Sequence, residues 1–472
     1  MTAASTLAQG VPCGNPSPPS RAIVVGAGMA GLLAAHVLAG HFEEVCLLER
    51  DDLAEAPEPR PGVPQGHYVH LLMMQGLRTL TTLFPGLEQT LVEAGAVPVD
   101  WYRSVRWFGA AGWMKTGGEG FVTYSMSRNL LEFAVRQRVQ AERRISVVKR
   151  CEVTGLSFDA SLSRVCGVTF RHRAGTSSGH ADNGTTLHAD FVVDASGRNS
   201  RAPTWLTAAG YEAPRETVVN AGVGYASRLY EAPTRWDGRD WDAMVVYERP
   251  PGCWRRGTIF PIEGNRWIVT LTSAGGDHPP GDEAGFLDFT RSLPASALHD
   301  AIAVADPVST IRQFRRTENR LRHYDKIGRW PAGFAVIGDA ACSFNPVYGQ
   351  GMTIAALSAV ALDAHLHALR RSGDVPGSRA LQRALARVAR PAWILSTGVD
   401  IRQTGDRGPA HWKAQLMQCY VERLLPLAVE DDAIFRLFMR VMHMVEPPSA
   451  LFVPSVAARV AWRCAPGRSR ER

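Results

Sequence analysis

Lysine is scarce in this chain. Only four of its 52 basic residues are Lys, so the formal net charge of +7 comes from arginine. The arginines are spread along the chain or form short pairs such as Arg143-Arg144, Arg255-Arg256 and Arg315-Arg316. A nucleic-acid interface needs basic residues gathered on one face, with aromatic residues between them in many cases. We therefore predict no nucleic-acid partner.

Cysteine motifs and long apolar runs are also absent. The eight cysteines form no CxxC pair and have no histidine at a metal-ligand spacing, which predicts reduced thiols and no metal site. The longest apolar stretch, Met352 to Ala364, is interrupted by polar residues and is too short to cross a bilayer. The first twenty residues lack a basic segment followed by an apolar one. These absences predict a cytoplasmic protein with no transmembrane segment and a flexible N-terminal lead-in.

The chain begins its ordered part with a nucleotide-binding pattern. A short apolar strand, Arg21 to Val25, is followed by the glycines Gly26, Gly28 and Gly31 in a GxGxxG motif and by an apolar helix. A second strand ends at Glu49, where the ribose of a dinucleotide needs a hydrogen-bond acceptor. The pyrophosphate then lies at the positive N-terminus of the helix. This unit predicts an adenine dinucleotide and leaves NAD and FAD both open.

A second glycine-bearing unit lies more than 300 residues downstream. The buried strand Phe334 to Ile337 leads into Gly338-Asp339-Ala340, and a Pro346-x-x-Gly349-x-Gly351 loop precedes an apolar helix from about Thr353 to Leu369. The glycines let successive N–H groups turn toward a ligand, and the helix presents its positive end.

The two units together resemble the FAD-dependent monooxygenases that share the aromatic-hydroxylase fold. The segment from Gly62 to His70 and the loop from Phe344 to Gly351 are most similar to those of bacterial polyether and polyketide flavin epoxidases, which are related to squalene epoxidases. The resemblance covers about residues 21 to 370. It implies that FAD is the cofactor and that the following residues bind it: Gly26, Ala27, Gly28, Met29, Gly31, Glu49, Arg50, Arg60, Gln65, His67, Arg128, Val153, Gly197, Asp339, Pro346, Gly349, Gln350, Gly351 and Met352.

One motif departs from the pattern of the hydroxylases that are reduced directly by NAD(P)H. In those enzymes the mid-chain turn usually reads Asp-Gly, whereas here Ser196 precedes Gly197. The electron donor is therefore expected to be NAD(P)H acting either directly or through a separate flavin reductase.

The stretches between the nucleotide motifs predict a second, substrate-binding sheet over the flavin. Its expected strands are 104–108, 121–126, 218–229, 243–247, 257–262 and 266–272, with a hairpin turn at Gly264-Asn265. No catalytic triad is present, and the catalytic residue is unknown. The candidates that the motifs place near the flavin are His67, His70 and Tyr348, and each is also compatible with a plain role in the pocket wall.

The expected fold class is α/β, with a Rossmann-like FAD-binding domain interleaved with a β-sheet substrate domain. FAD-binding parts are expected at 21–100, 127–205 and 321–375, substrate parts at 101–126 and 206–320, and a helical C-terminal region at 376–472. In that region we predict helices over 379–388, 411–424 and 431–445, with breaks at Pro391, Pro426 and the Pro447-Pro448 pair.

The resemblance implies an enzyme that uses FAD and O2 to epoxidise or hydroxylate an apolar natural-product intermediate of polyketide or terpenoid type. The alternatives of the same fold are an aromatic hydroxylase and a polyprenyl reductase or dehydrogenase. A flavin-retaining binding protein without turnover is the alternative from another class. Flavin halogenases are disfavoured because the Trp-x-Trp-x-Ile-Pro motif and the lysine that characterise them have no counterpart around Cys253 to Pro261.

Overall fold

The computed structural model describes residues 21–109, 111–118, 120–173, 184–233, 240–249, 253–372, 379–404 and 412–463. The predicted flexible lead-in, residues 1–20, lies outside the described residues, as does His411, the expected first residue of a C-terminal helix.

Twenty strands are present in the described part of the chain. In chain order they are β1 (Arg21–Val25), β2 (Glu44–Leu48), β3 (Val97–Asp100), β4 (Val105–Gly109), β5 (Gly112–Trp113), β6 (Val122–Ser125), β7 (Ile145–Val148), β8 (Cys151–Phe158), β9 (Val165–His172), β10 (Thr185–His188), β11 (Phe191–Asp194), β12 (Glu216–Val219), β13 (Gly224–Glu231), β14 (Ala243–Val246), β15 (Arg256–Ile262), β16 (Arg266–Ser273), β17 (Arg312–Phe314), β18 (Asn319–Arg322), β19 (Phe334–Val336) and β20 (Cys342–Ser343).

Twelve α-helices accompany these strands within the same described ranges. They are α1 (Met29–Ala39), α2 (Met74–Leu83), α3 (Leu87–Glu93), α4 (Arg128–Ala141), α5 (Ala202–Ala208), α6 (Glu283–Arg291), α7 (Ala297–Ala303), α8 (Gly351–Ser372), α9 (Arg379–Thr404), α10 (Trp412–Glu430), α11 (Asp432–Met442) and α12 (Pro454–Arg463).

A five-stranded parallel sheet in the order β19-β11-β1-β2-β7 forms the nucleotide-binding half. Its strands are apolar on both faces because both faces are covered, as is usual for parallel sheets. In β1, Ala22 and Val24 pack into the core shared with the helices α1, α4 and α8. Ile23 and Val25 point to the opposite face and pack against the small antiparallel sheet β10-β9-β8.

Helix α8 is long and apolar enough over Gly351–Arg371 to meet the length and composition of a membrane span. This apolar helix is therefore longer than the apolar stretch Met352 to Ala364 that the sequence pattern indicated. Half of its most apolar window is buried inside the protein, where α8 packs against α1, α2 and α9. This packing accounts for its apolar character as a core helix.

The second large sheet has seven strands in the order β17-β13-β16-β15-β14-β4-β5. All neighbouring pairs are antiparallel except β14 and β4, which are parallel. The hairpin between β15 and β16 turns at Gly264 and Asn265, which have φ angles of 76° and 52°, and this confirms the predicted turn.

Two strand predictions for this region were wrong in detail. The stretch 218–229 is not one strand, because Asn220 accepts a hydrogen bond from the Gly222 amide and Gly222 has φ 60°, so the chain turns there. Its two halves belong to different sheets, β12 beside β18 and β13 beside β16. The second wrong prediction is the stretch 121–126, which does not join the seven-stranded sheet. Its strand β6 pairs with β3 in a two-stranded ribbon.

The C-terminal region is helical, and the predicted breaks at Pro391 and Pro426 are wrong. Both prolines lie inside helices, α9 and α10. A proline leaves the carbonyl four residues earlier without its partner. Those carbonyls belong to the exposed Arg387 and the half-exposed Glu422, where water can replace the missing N–H. Burial of Ala392 and Leu424 beside the prolines stabilises the continuous helices.

Helices α10, α11 and α12 cover one face of the seven-stranded sheet. Leu424, Phe435 and Phe438 pack with Trp101 and Phe260 in one apolar core. Helices α6 and α7 cover the other face. The architecture is therefore the predicted one, a parallel nucleotide-binding sheet interleaved with a second sheet and followed by helices.

Candidate active site

A cavity of about 430 Å³ opens along the carboxyl edge of the parallel sheet. Four segments of its wall follow parallel strands: the glycine turn follows β1, Glu49 follows β2, Gly197 follows β11 and Asp339 follows β19. Ligands of such sheets bind in the crevice outside the carboxyl ends of the strands. The sequence motifs therefore meet at one site because the topology brings these strand ends together.

The three glycines of the first turn have three different structural roles. Gly26 has φ 97°, and a Cβ there would lie 2.8 Å from the carbonyl oxygen of Ala195. A Cβ on Gly31 would lie 1.8 Å from the Gly26 carbonyl oxygen, so only glycine lets the helix pack so closely. A Cβ on Gly28 would have no atom of the described residues within 4 Å, because it would project into the cavity. The backbone at Gly28 is thus open to a pyrophosphate.

Two helices point their N-termini at this cavity. Met29 at the start of α1 and Gly351 at the start of α8 both line it. Neither helix has an acidic residue in its first turn. The unopposed positive ends of the helices favour negative charge on a ligand, by about 0.3–2 kcal/mol each. The α1 end suits the diphosphate of a dinucleotide, and the α8 end suits a reduced flavin ring.

Arg60 is held in a buried cluster of acidic residues at the cavity wall. Its guanidinium lies 2.8 Å from Glu132, 3.2 Å from Asp51 and 3.1 Å from Glu49, and it also donates to the Ala27 carbonyl. Three of its five N–H groups therefore donate to protein acceptors, and the Glu49 carboxylate adds an ion pair. The predicted phosphate contact of Arg60 stays a prediction, and these hydrogen bonds leave two N–H groups for it.

Glu132 lies between Arg60 and Arg128, which both donate to it. Burial acts to raise the pKa of Glu132, but the two guanidinium groups outweigh burial and hold the pKa below its ordinary value. Asp339 shows the opposite balance, because burial raises its pKa more than Arg198 and Arg128 lower it.

Most of the predicted cofactor-binding residues line this one cavity. Those that do are Gly26, Gly28, Met29, Glu49, Arg50, Arg60, Gln65, Arg128, Val153, Gly197, Asp339, Pro346, Gly349, Gly351 and Met352. Ala27, Gly31, His67 and Gln350 do not. The Ala27 amide instead donates to the Glu49 carboxylate at 2.7 Å, and Gln350 is buried within the loop Pro346–Gly351.

Several lining residues were not predicted. They include Arg198, Arg201, Trp205, Phe314 and Arg316. Arg198 donates to the carbonyls of Glu318 and Phe344. It therefore connects the Gly197 turn to the segment before the loop Pro346–Gly351, which we call the flavin-type loop. Its position directly after Gly197 was a usable signal, whereas nothing local marks Arg316 or Trp205.

A second, smaller cavity of about 80 Å³ adjoins the first. Both cavities are lined by Pro346 and Gly349, so the loop before α8 separates them. The walls of the second cavity come from β4, β14, β15 and β16 and from the end of α11. They are mainly aromatic and aliphatic, and they include Trp101, Trp107 and Tyr247.

Tyr348 lines the second cavity and is held from behind by a buried carboxylate. Its hydroxyl donates to Asp400 of α9 at 2.6 Å. Asp400 also accepts from Asn345 at 3.1 Å and from Asn319 at 2.5 Å. Burial raises the pKa of Asp400, although these hydrogen bonds and Arg256 act to lower it. The loop that carries Tyr348 and Asn345 is thus fixed by a residue more than 50 positions later, which the sequence did not indicate.

Two further polar groups face the second cavity. Arg256 is buried and forms an ion pair with Glu248. His443 accepts a hydrogen bond from the Met74 amide on Nδ1, and burial lowers its pKa to about 3, so its imidazole is neutral at pH 7. Neither residue was predicted.

The three catalytic candidates lie in different places. His70 lines the larger cavity, Tyr348 lines the smaller one, and His67 lines neither. Burial, with the nearby charge of Arg128, lowers the pKa of His70 to about 4, so at pH 7 it is a neutral donor or acceptor and not an acid. The pKa of His67 is also lowered, by burial and by Arg312.

A parallel sheet whose strand ends, glycine turn and two helix N-termini line one cavity is the architecture of a dinucleotide-binding protein. Comparison with known proteins identifies the dinucleotide as FAD. The chain matches the FAD_binding_3 family, described as an FAD binding domain, over residues 20–376, and it belongs to that family.

Three similar proteins illustrate the relationship. The chain is 33% identical to Protein Rv3254 of Mycobacterium tuberculosis over 460 residues, which cover 94% of this chain and 92% of the relative. It is 28% identical to kynurenine 3-monooxygenase of Salinispora arenicola over 365 residues, which cover 73% and 71% of the two chains. The solved structure of the flavin-dependent brominase Bmp2 superposes with a TM-score of 0.60 at 14% identity, covering 87% of this chain and 93% of that one, and shows a shared fold.

Proposed function

We propose that this chain uses FAD and O2 to epoxidise or hydroxylate an apolar natural-product intermediate of polyketide or terpenoid type. The observation that carries the proposal is the second cavity, whose aromatic and aliphatic walls meet the dinucleotide cavity at Pro346 and Gly349. A substrate there lies against the loop that family resemblance assigns to the flavin ring. The relationship to kynurenine 3-monooxygenase supports oxygenation as the reaction.

FAD, when bound, supplies the activation of O2, and the chain supplies orientation and a dry environment. Gly28 and Gly351 leave open space where their Cβ atoms would project, which fits a bound dinucleotide at those positions. Trp101, Trp107 and Tyr247 wall the adjoining cavity, and α11 closes it with Met442 and His443. These side chains would exclude water from the space beside bound FAD and so would limit side reactions there.

The other parts of the proposal concern the partners and the organisation of the chain. The electron donor is NAD(P)H, directly or through a flavin reductase, and the protein acts in the cytoplasm. The division into FAD-binding parts at 21–100, 127–205 and 321–375, substrate parts at 101–126 and 206–320 and a helical region at 376–472 is part of the same proposal. The strands of the parallel sheet and of the seven-stranded sheet fall in these respective segments, which supports it.

Hydroxylation of a phenol is the second candidate, and one observation favours it. Tyr348 lines the cavity and donates its proton to Asp400, which leaves its oxygen available as an acceptor for a substrate hydroxyl. Epoxidation of an alkene needs no such acceptor, whereas a phenol reacts faster once its proton is removed. Products from matched alkene and phenol substrates distinguish these two reactions.

The test is oxygen consumption by FAD-loaded protein with NADPH or with a separate reductase, over a panel of polyene and phenolic substrates. Mass spectrometry should detect products that have gained one oxygen atom from ¹⁸O2. Substitution Val69→Trp fills the second cavity and should abolish product formation while FAD remains bound. Val92→Trp, at a position 44% exposed on α3, is the control and should leave turnover unchanged.

Two results would overturn the proposal. Oxidation of the substrates without incorporation of ¹⁸O would indicate a dehydrogenase or reductase of the same fold. Incorporation of chloride or bromide would indicate a halogenase, although no lysine of the described residues lines either cavity.

A further inference from the structure

Two histidines and an aspartate meet on the side of the protein away from both cavities. His41 follows α1, and Asp363 and His367 lie one turn apart on α8. His41 Nε2 is 2.7 Å from an Asp363 carboxylate oxygen, and His367 Nε2 is 3.6 Å from the same oxygen. One ligand atom from each residue lies within 4.8 Å of the others.

We propose that His41, Asp363 and His367 bind one divalent transition-metal ion, with Zn²⁺ as the best fit. Zinc accepts imidazole nitrogen and carboxylate oxygen at 2.0–2.2 Å in tetrahedral geometry, so neighbouring ligand atoms lie about 3.3–3.4 Å apart. The two separations to Asp363, 2.7 and 3.6 Å, lie on either side of that value, and the two imidazole nitrogens are within 4.8 Å of each other, so side-chain rotation can bring all three to one ion. Three protein ligands leave one coordination position for water.

The environment of each ligand is suitable for a metal. His41 is buried and holds its place behind the site, while Asp363 and His367 are accessible from solvent, which provides an entry path. The Arg370 guanidinium is close to His41 and opposes a cation, so we expect moderate affinity.

The position of the site gives it a structural effect on the cofactor cavity. Helices α1 and α8 pack together, and both begin at the cavity. His41 lies 12 residues beyond Met29, and Asp363 lies 12 residues beyond Gly351, a distance of about 18 Å along each helix. A metal ion here would join the C-terminal end of α1 to the middle of α8, about 18 Å from the helix ends that face the cofactor cavity.

The test is titration of the full-length, tag-free, FAD-loaded protein with ZnCl2 after removal of metals with a chelator. Calorimetry should show one Zn²⁺ per chain, and the temperature of unfolding should rise with added Zn²⁺. His367→Ala and Asp363→Asn change accessible side chains, so both variants should fold. Each alters one of the three direct ligands, so each should weaken Zn²⁺ binding by more than the about 10–100-fold that loss of an outer-shell partner typically costs.

The matched control is His365→Ala, which removes a histidine of the same helix that is not part of the cluster. It should bind Zn²⁺ like the unmodified protein. Co²⁺ substitution should give the visible absorption of a tetrahedral site, and that spectrum should vanish in His367→Ala. Absence of stoichiometric binding, or equal binding in all variants, would overturn the proposal. Because FAD content and oxygenation are measured separately, this outcome is independent of the proposed function.

Discussion

Replacement of Asp400 is expected to destabilise the protein and to weaken FAD binding through the loop that precedes α8. The Asp400 carboxylate accepts from Tyr348, Asn345 and Asn319 inside the protein, and the Asp400 side chain is fully buried. Asp400→Ala leaves three buried donors without their acceptor. One such donor costs about 1–3 kcal/mol, and because the three are coupled we expect a total loss of about 3–5 kcal/mol.

Asp400→Asn is the milder variant. It keeps one oxygen, but its amide group must face one of the donors, so the expected loss is about 1–3 kcal/mol. The free energy of unfolding is measured by urea titration of both variants. FAD affinity is then measured by fluorescence at a temperature where each variant is fully folded. Because Tyr348 and Asn345 belong to the loop that lines both cavities, FAD affinity and the flavin absorption spectrum should change with stability.

Leu385→Ala provides a control of matched stability. Leu385 is buried on the same helix as Asp400, and its truncation is expected to cost about 2–5 kcal/mol through a cavity. It makes no hydrogen bond to the loop, so FAD affinity should be unchanged in the folded protein. Equal FAD affinity in Asp400→Ala and Leu385→Ala would refute the reasoning. It would indicate that Asp400 contributes to stability only and does not position the loop that binds FAD.

Three other perturbations test separate parts of the site. Gly28→Val should fold normally but lose FAD, because the valine side chain would occupy the space of the pyrophosphate. Flavin absorbance after reconstitution measures the FAD content, and retained FAD would contradict the prediction. Glu132→Ala should lower the unfolding free energy by about 3–5 kcal/mol, since Arg60 and Arg128 lose their shared partner, while exposed Glu93→Ala should have almost no effect. The pKa of His443 falls on folding from 6.5 to about 3, so the folded protein is fully stable with respect to this group above pH 6.5 and loses stability as the pH falls toward 3. His443→Gln should therefore reduce the slope of the unfolding free energy against pH by about 1.4 kcal/mol per pH unit between pH 6 and 4. An unchanged slope would contradict this.

The dinucleotide cavity could be predicted from the sequence because its determinants are local. A buried strand followed by Gly26, Gly28 and Gly31 fixes a turn, a close approach and a tight helix contact within about ten residues. Parallel pairing then brings Gly197 and Asp339 to the same sheet edge without any further information from the sequence. The roles of individual side chains in that cavity were less predictable. The hydrogen-bond partners of Arg60, for example, include Glu132, a residue 72 positions away.

Element boundaries failed where tertiary packing overrides local preference. Pro391 and Pro426 are strong local signals against a helix, but the apolar faces of α9 and α10 bury enough surface to keep both helices continuous. The break within 218–229 had the opposite cause. Its Asn220-x-Gly222 turn was a local signal that the apolar residues on either side obscured.

The second cavity, where we propose that the substrate binds, could be predicted only in part, because it also depends on the C-terminal helices. Its wall includes Met442 and His443 at the end of α11, and its polar floor is set by Asp400 of α9. These residues lie outside 20–376, the range that matches the FAD-binding family. The range that matches the family therefore lines the dinucleotide cavity and most of the second cavity, while α9 and α11 complete the second cavity and hold the loop beside it. Substrate preference should consequently respond more to substitutions in α9 and α11 than to conservative changes in the strands of the parallel sheet.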